Sequence, residues 1–217
     1  MDFAQPLAGG RQLLRLLTYL GLAAVAAHSL VSAGPQENLA VVDEGPRHGR
    51  VVVLVPGLSG CAYSFRKVTP LLHEQGIRTV IIEPLGLGLS DRPRDADYTL
   101  TAQAERLATV LDQMDVNGAV FVSQGVATSM VLRLALARPE LVAGVVSIEG
   151  GAAESAATAT VRSQLRLTKL VAKLGGIKIL RERYAENLAK ASGDPSWIDR
   201  RVLNRYFRGP RRDVSAT

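Results

Sequence analysis

Cysteine is almost missing from this sequence: Cys61 is the single one in 217 residues. A lone thiol excludes an intramolecular disulfide and leaves too few thiolates for a structural zinc site. Cysteine usage therefore assigns no compartment. Histidine is nearly as scarce, with His28, His48 and His73 and none beyond. Aromatic residues make up 5% of the chain, too few for a base-stacking surface. No zinc-finger, RNP or helix-turn-helix pattern occurs either. The net charge of +6 is thus no sign of a nucleic-acid partner. Its distribution is uneven: Thr160 to Thr217 holds 14 Lys/Arg against 5 Asp/Glu, while residues 1–159 hold 12 against 15. No cofactor or metal motif is present, and neither kind of group is expected.

What the chain does have is apolar content, 47% hydrophobic against 21% charged, enough to bury one ordinary core. The N-terminus carries its own signal. Arg11 and Arg15 precede an uncharged run from Leu16 to Ala33, closed by Gly34-Pro35. Positive charge before such a run fits a secretory signal peptide, a membrane anchor, or a soluble helix packed on the domain. Val31-Ser32-Ala33 offers the small residues a signal peptidase needs. Under either membrane-directed reading the arginines stay inside and the domain is extracytoplasmic, secreted or membrane-anchored.

After Gln36 short β-type runs alternate with helical ones, the pattern of a mostly parallel sheet covered by helices. Strands are expected at Asn38 to Asp43, Arg50 to Val55, Thr79 to Glu83, Ala119 to Val122 and Gly144 to Glu149. The run RVVVLV is the clearest, continuous and β-branched as in a strand buried on both faces. Helices are expected at Tyr63 to Gln75, capped by Gly76, at Thr101 to Met114 and at Val126 to Ala137. Beyond the Ala/Thr/Ser stretch from Ala152 to Thr160 the strands stop. Val161 to Leu174, Ile177 to Lys190 and Pro195 to Tyr206 all read as helices. The division is then a targeting or anchor segment over 1–36, a core over 37–152 and a helical lid over 153–217.

Three motifs give these elements a family likeness. Pro56-Gly57-Leu58-Ser59-Gly60 follows the strand RVVVLV in the manner of an H-G-x-x-G loop, with Pro56 at the histidine position. Glu83-Pro84-Leu85-Gly86-Leu87-Gly88-Leu89-Ser90-Asp91-Arg92-Pro93 matches D-x-x-G-x-G-x-S-x-x-P, with glutamate for aspartate. Ser123-Gln124-Gly125-Val126-Ala127, between a strand and the helix ending in Arg138-Pro139-Glu140, occupies the place of the G-x-S-x-G nucleophile elbow. From Leu39 to Gly151 the chain resembles the α/β-hydrolase superfamily, in particular its capped esterase, epoxide-hydrolase and haloalkane-dehalogenase branch. The resemblance implies an α/β-hydrolase fold with a helical cap and a small-molecule substrate such as an ester.

The same resemblance assigns positions. Gly125 stands where the nucleophile belongs, which relieves strain at the elbow and removes covalent catalysis. The backbone N–H groups of Leu58 and Val126 fall at the oxyanion hole, independent of side-chain identity. Glu149, just past the strand after the elbow helix, falls at an acid position used by some members. Ser123 and Ser129 are read as structural, the first a small turn residue and the second bonded to its own helix backbone. The three histidines precede the elbow, whereas the order in this family is nucleophile, acid, base. Residues Arg211 to Thr217 look like the middle of a cap, so the chain reads as interrupted, or as a remnant without selected function.

Two activities stay open on these grounds: a hydrolase impaired as written, or a non-catalytic ligand-binding or membrane-associated protein on the same scaffold. The second draws on Val161 to Leu174, whose Leu167, Leu170, Val171 and Leu174 oppose Arg162, Arg166, Lys169 and Lys173. Such a face suits an anionic membrane surface or the underside of a cap.

Overall fold

The computed structural model describes residues 28–58, 60–153 and 177–208. Six strands form one sheet: β1 (Ser29–Ser32), β2 (Asn38–Glu44), β3 (Val51–Val55), β4 (Arg78–Glu83), β5 (Ala119–Gln124) and β6 (Val142–Ile148). Their spatial order is β1-β2-β4-β3-β5-β6. The β1/β2 and β2/β4 pairs are antiparallel, and β4, β3, β5 and β6 run parallel. The helices are α1 (Thr69–Glu74), α2 (Leu100–Gln113), α3 (Ala127–Ala137), α4 (Ile177–Ala191) and α5 (Arg200–Tyr206).

Strand β3 shows why the sheet is central. Its side chains alternate, with Val53 and Val55 in one apolar cluster beside Leu107, Leu111, Phe121 and Leu134, and with Val52 and Leu54 in a second beside Phe65 and Ile81. The first cluster lies under α2 and α3; the second packs against α1 and the 3-10 turn before it. Burial of each large apolar side chain contributes about 1.5–3 kcal/mol, so both layers hold the strand in place.

Several boundaries differ from the sequence reading. The helix expected over Tyr63 to Gln75 is a 3-10 turn, Ala62–Phe65, followed by α1. Pro70 explains the break, because it has no N–H with which to continue an i to i−4 ladder. The helix expected over Pro195 to Tyr206 also divides, into a 3-10 turn at Pro195–Trp197 and α5. Asp194 accepts from Ser196 N at 2.9 Å and Asp199 from Val202 N at 2.7 Å, so each piece has its own N-cap. Gly76 caps α1 as expected, at φ 74°.

The largest difference is β1. Ser29–Ser32 falls inside the run assigned to a leader or anchor, yet it pairs in register with Asn38–Val41. The sheet therefore begins ahead of residue 37. The rest of that run, through Ala27, and the amphipathic stretch Val161 to Leu174 lie outside the described residues. Among the described residues no helix is long and apolar enough to cross a membrane.

Candidate functional site

The strand order fixes where a ligand site can form. From β3 the chain moves to β4 on one side, then returns past β3 to β5 on the other. In an open parallel sheet this reversal leaves a crevice at the carboxyl ends of the diverging strands. Pro56-Gly57-Leu58 leaves β3 at that end, and Gly125-Val126 leaves β5. A cavity of about 710 Å³ opens there, lined by Leu58, Gly125, Val126 and Glu149 below and by Tyr184 and Trp197 above.

The turn after β5 is built from backbone and small side chains. Gly125 has φ 56°, the left-handed region that glycine enters without penalty. Its N–H donates to Ile148 O at 2.8 Å and its carbonyl accepts from Thr128 N at 3.1 Å. Beneath it Ser123 Oγ donates to Thr128 Oγ1 at 3.1 Å, and Thr128 Oγ1 lies 3.0 Å from Ser147 Oγ. Ser147 Oγ reaches Gly150 O at 2.9 Å. A Cβ on Gly150 would overlap Gly125 O and Thr128 Oγ1. A Cβ on Gly57 would come within 2.7 Å of Gln124 O. These two glycines let three loops converge.

Among the described residues, a Cβ on Gly125 would meet nothing within 4 Å. A side chain there has free space at the cavity wall. Neither Ser123 nor Ser129 shares that position, since both are fully buried and neither lines the cavity. The reading of Ser129 as bonded to its own helix is corrected: its hydroxyl donates to Gly151 O at 2.5 Å and pins the segment leaving β6. Leu58 and Val126 both line the cavity, and neither amide N–H donates to another described residue. Glu149 also lines it, at φ 52°, a conformation that costs a residue with a Cβ about 1 kcal/mol or more.

No histidine lines this cavity. His73 Nε2 pairs with Thr79 Oγ1 at 2.8 Å, and His48 lies in the loop entering β3, at the opposite end of the sheet. Among the described residues no group of three His, Cys, Asp or Glu could hold a metal ion.

The neighbouring loop after β4 is held by polar contacts. The buried Glu83 carboxylate accepts from Ala62 N at 2.7 Å and Leu89 N at 2.5 Å. Ser90 Oγ donates to Glu83 O at 2.5 Å and accepts from Ala40 N at 2.8 Å. Asp91 accepts from both Asn38 N and Asn38 Nδ2. Gln103 takes up both backbone groups of Leu85. Gly88, at φ 51°, sits where a Cβ would overlap the Glu83 carboxylate. Cys61 lies beside this anchor; burial first, and then the Glu83 charge, push its thiol up to about 11, so it stays protonated near neutrality.

The roof was missed in the sequence. The Arg66 guanidinium lies 4.4 Å from the Tyr63 ring centroid and 5.2 Å from that of Trp197. Tyr63 and Tyr206 meet edge to face at 5.9 Å, as do Tyr184 and Phe207 at 5.2 Å. Burial raises the Tyr184 phenol above its usual range. The available signal was concentration: Tyr184, Trp197, Tyr206 and Phe207 cluster in an otherwise aromatic-poor chain.

Comparison with known proteins agrees with this fold. A family model described as the alpha/beta hydrolase fold matches residues 50–170, more than half of the chain. A haloalkane dehalogenase of Psychrobacter cryohalolentis is 34% identical over 100 residues, 46% of this chain and 33% of that protein. The uncharacterized hydrolase YugF of Bacillus subtilis is 28% identical over 161 residues, 73% of this chain and 58% of its own. Among solved structures, Cfl2 from Burkholderia cenocepacia superposes with a TM-score of 0.69 at 21% identity, covering 87% of this chain and 69% of that one. The matched part spans about a third of the length of the first curated relatives.

Proposed function

Because the chain belongs to the α/β-hydrolase fold family, we propose that its cavity binds a small carbonyl or carboxylate compound, such as an ester, without forming a covalent intermediate. The carrying observation is Gly125. It holds the elbow conformation, borders the cavity and has open space where a nucleophile would project. An acyl-enzyme needs an oxygen or sulfur at that point, and glycine supplies neither.

The amides of Leu58 and Val126 act as the ligand's hydrogen-bond donors in this reading. Both border the same cavity and donate to no described residue, so an oxyanion or carbonyl oxygen can take them up without displacing a described hydrogen bond. Glu149 occupies the acid position, and its left-handed backbone is the kind of strain that gathers at functional sites. Residues 177–208 serve as the cap over the core. Their aromatic residues roof the cavity and provide an apolar wall for the ligand's organic part.

Trp197 is the sole tryptophan and lines the cavity, so its fluorescence reports occupancy directly. Titration with a short-chain aliphatic ester is expected to give a saturable fluorescence change with no release of acid. In parallel, p-nitrophenyl butyrate is expected to leave no acyl adduct by intact mass. A burst of p-nitrophenol with an acylated chain, or fluorescence indifferent to every ester and carboxylate tested, overturns the reading.

A further inference from the structure

Strand β1 changes what the N-terminal run can be. Its four residues pair with Asn38–Val41, and Val31 and Ala33 pack against the main core cluster. Side chains and backbone add to the ladder: Ser29 Oγ donates to Val41 O at 3.3 Å, Gln113 Nε2 to Ser32 O at 2.7 Å, and Ala33 N to Glu37 O at 2.7 Å. Cutting the chain after Ala33 would remove all of these. It would also leave β2, whose Leu39 to Val42 are fully buried, as a bare sheet edge.

Two consequences follow for the residues ahead of the strand. Once Ser29–Ser32 belongs to the sheet, the uncharged run left for a membrane is Leu16 to Ala27, 12 residues. As a helix it would be about 18 Å long, well short of a hydrocarbon core of about 30 Å. A retained span is therefore disfavoured. Ahead of Ala24 the run from Leu16 to Ala23 is eight residues, which matches the apolar part of a secretory leader, about 7–15. Directly after it Ala24-Val25-Ala26 is an A-x-A sequence, just ahead of β1.

We propose that the chain is an export substrate processed between Ala26 and Ala27, not after Val31-Ser32-Ala33. A signal peptidase hydrolyses that one peptide bond with one water, leaving the carboxylate on Ala26 and the amine on Ala27. The product keeps Ala27 and His28 as a two-residue lead into an intact β1. This rests on the strand and the leader pattern, not on the ligand reading of the cavity.

The test uses the full chain, pulse-labelled in a bacterium with an active secretory pathway, so the product is captured whether or not it later folds. The wild type is expected to shorten by 26 residues and to begin at Ala27, by intact mass and N-terminal sequencing. Ala26→Arg is expected to abolish that shortening. A product beginning at Gly34, a wild type that retains Met1, or unchanged cleavage of Ala26→Arg overturns the proposal.

Discussion

The loops that leave β4 and β5 flank the same strand and leave the same end of the sheet, but they are held by different means. After β4 the chain is fixed by side chains, with Glu83 holding two backbone N–H groups while Ser90, Asp91 and Gln103 tie the flanking backbone. After β5 the conformation lives in the backbone and in small hydroxyls beneath it, and the residue at the apex contributes no side chain. The contrast explains how the turn keeps its shape with glycine at its apex. Nothing that supports the elbow passes through the side chain of residue 125, whereas the β4 loop depends on a carboxylate.

The largest effect should therefore come from Glu83. Glu83→Ala removes the acceptor of the buried Ala62 N–H, worth about 1–3 kcal/mol, together with that of the partly buried Leu89 N–H, and leaves a void between the loops. A loss of about 3–5 kcal/mol is expected in urea denaturation followed by circular dichroism. A loss below about 1 kcal/mol would show that the carboxylate is not the anchor and would erase the contrast between the loops.

Gly125→Ser addresses the other half. The added Cβ meets no atom of the described residues, so the cost is that of holding a non-glycine residue in the left-handed region, about 1–2 kcal/mol. The same denaturation experiment measures it. A loss comparable to that of Glu83→Ala would mean that the apex has no room for a side chain.

How far the sequence revealed this molecule follows the same division. The strands, the Gly86-to-Pro93 loop and the elbow helix were legible because each rests on local pattern: β-branched runs, glycines at positive φ, helical periodicity. The apex position of Gly125 was legible for the same reason, through its small neighbours and the helix after it. What escaped depends on contacts distant in the chain. Leu30 and Val31 read as the end of an apolar run, and only pairing with Leu39 and Ala40 makes them a strand. The hydroxyl of Ser129 was misread because its acceptor, Gly151 O, is 22 residues away. The aromatic roof needs Tyr63 to meet Tyr206 across most of the chain.

A smaller effect sharpens the comparison by setting a second anchoring carboxylate beside Glu83. Glu37, in the turn after β1, is held by Arg106 of α2 through two contacts, at 2.8 and 2.7 Å, while a third guanidinium nitrogen donates to Asp97 O at 2.6 Å. Hydrogen bonding to Arg106 holds the Glu37 carboxyl below its ordinary value of 4.5; burial opposes this, the guanidinium charge reinforces it, and the Asp97 charge opposes it. A carboxyl depressed in the folded state binds its proton more readily when unfolded. Its stabilising contribution is thus complete above about pH 4.5 and is lost as pH falls through the lower folded value. Glu37→Gln should remove that part of the acid sensitivity, so that its urea midpoint falls less than the wild type's between neutral pH and pH 3. Parallel declines for the two proteins would place the acid-sensitive contact elsewhere and leave the hairpin held by its ladder alone.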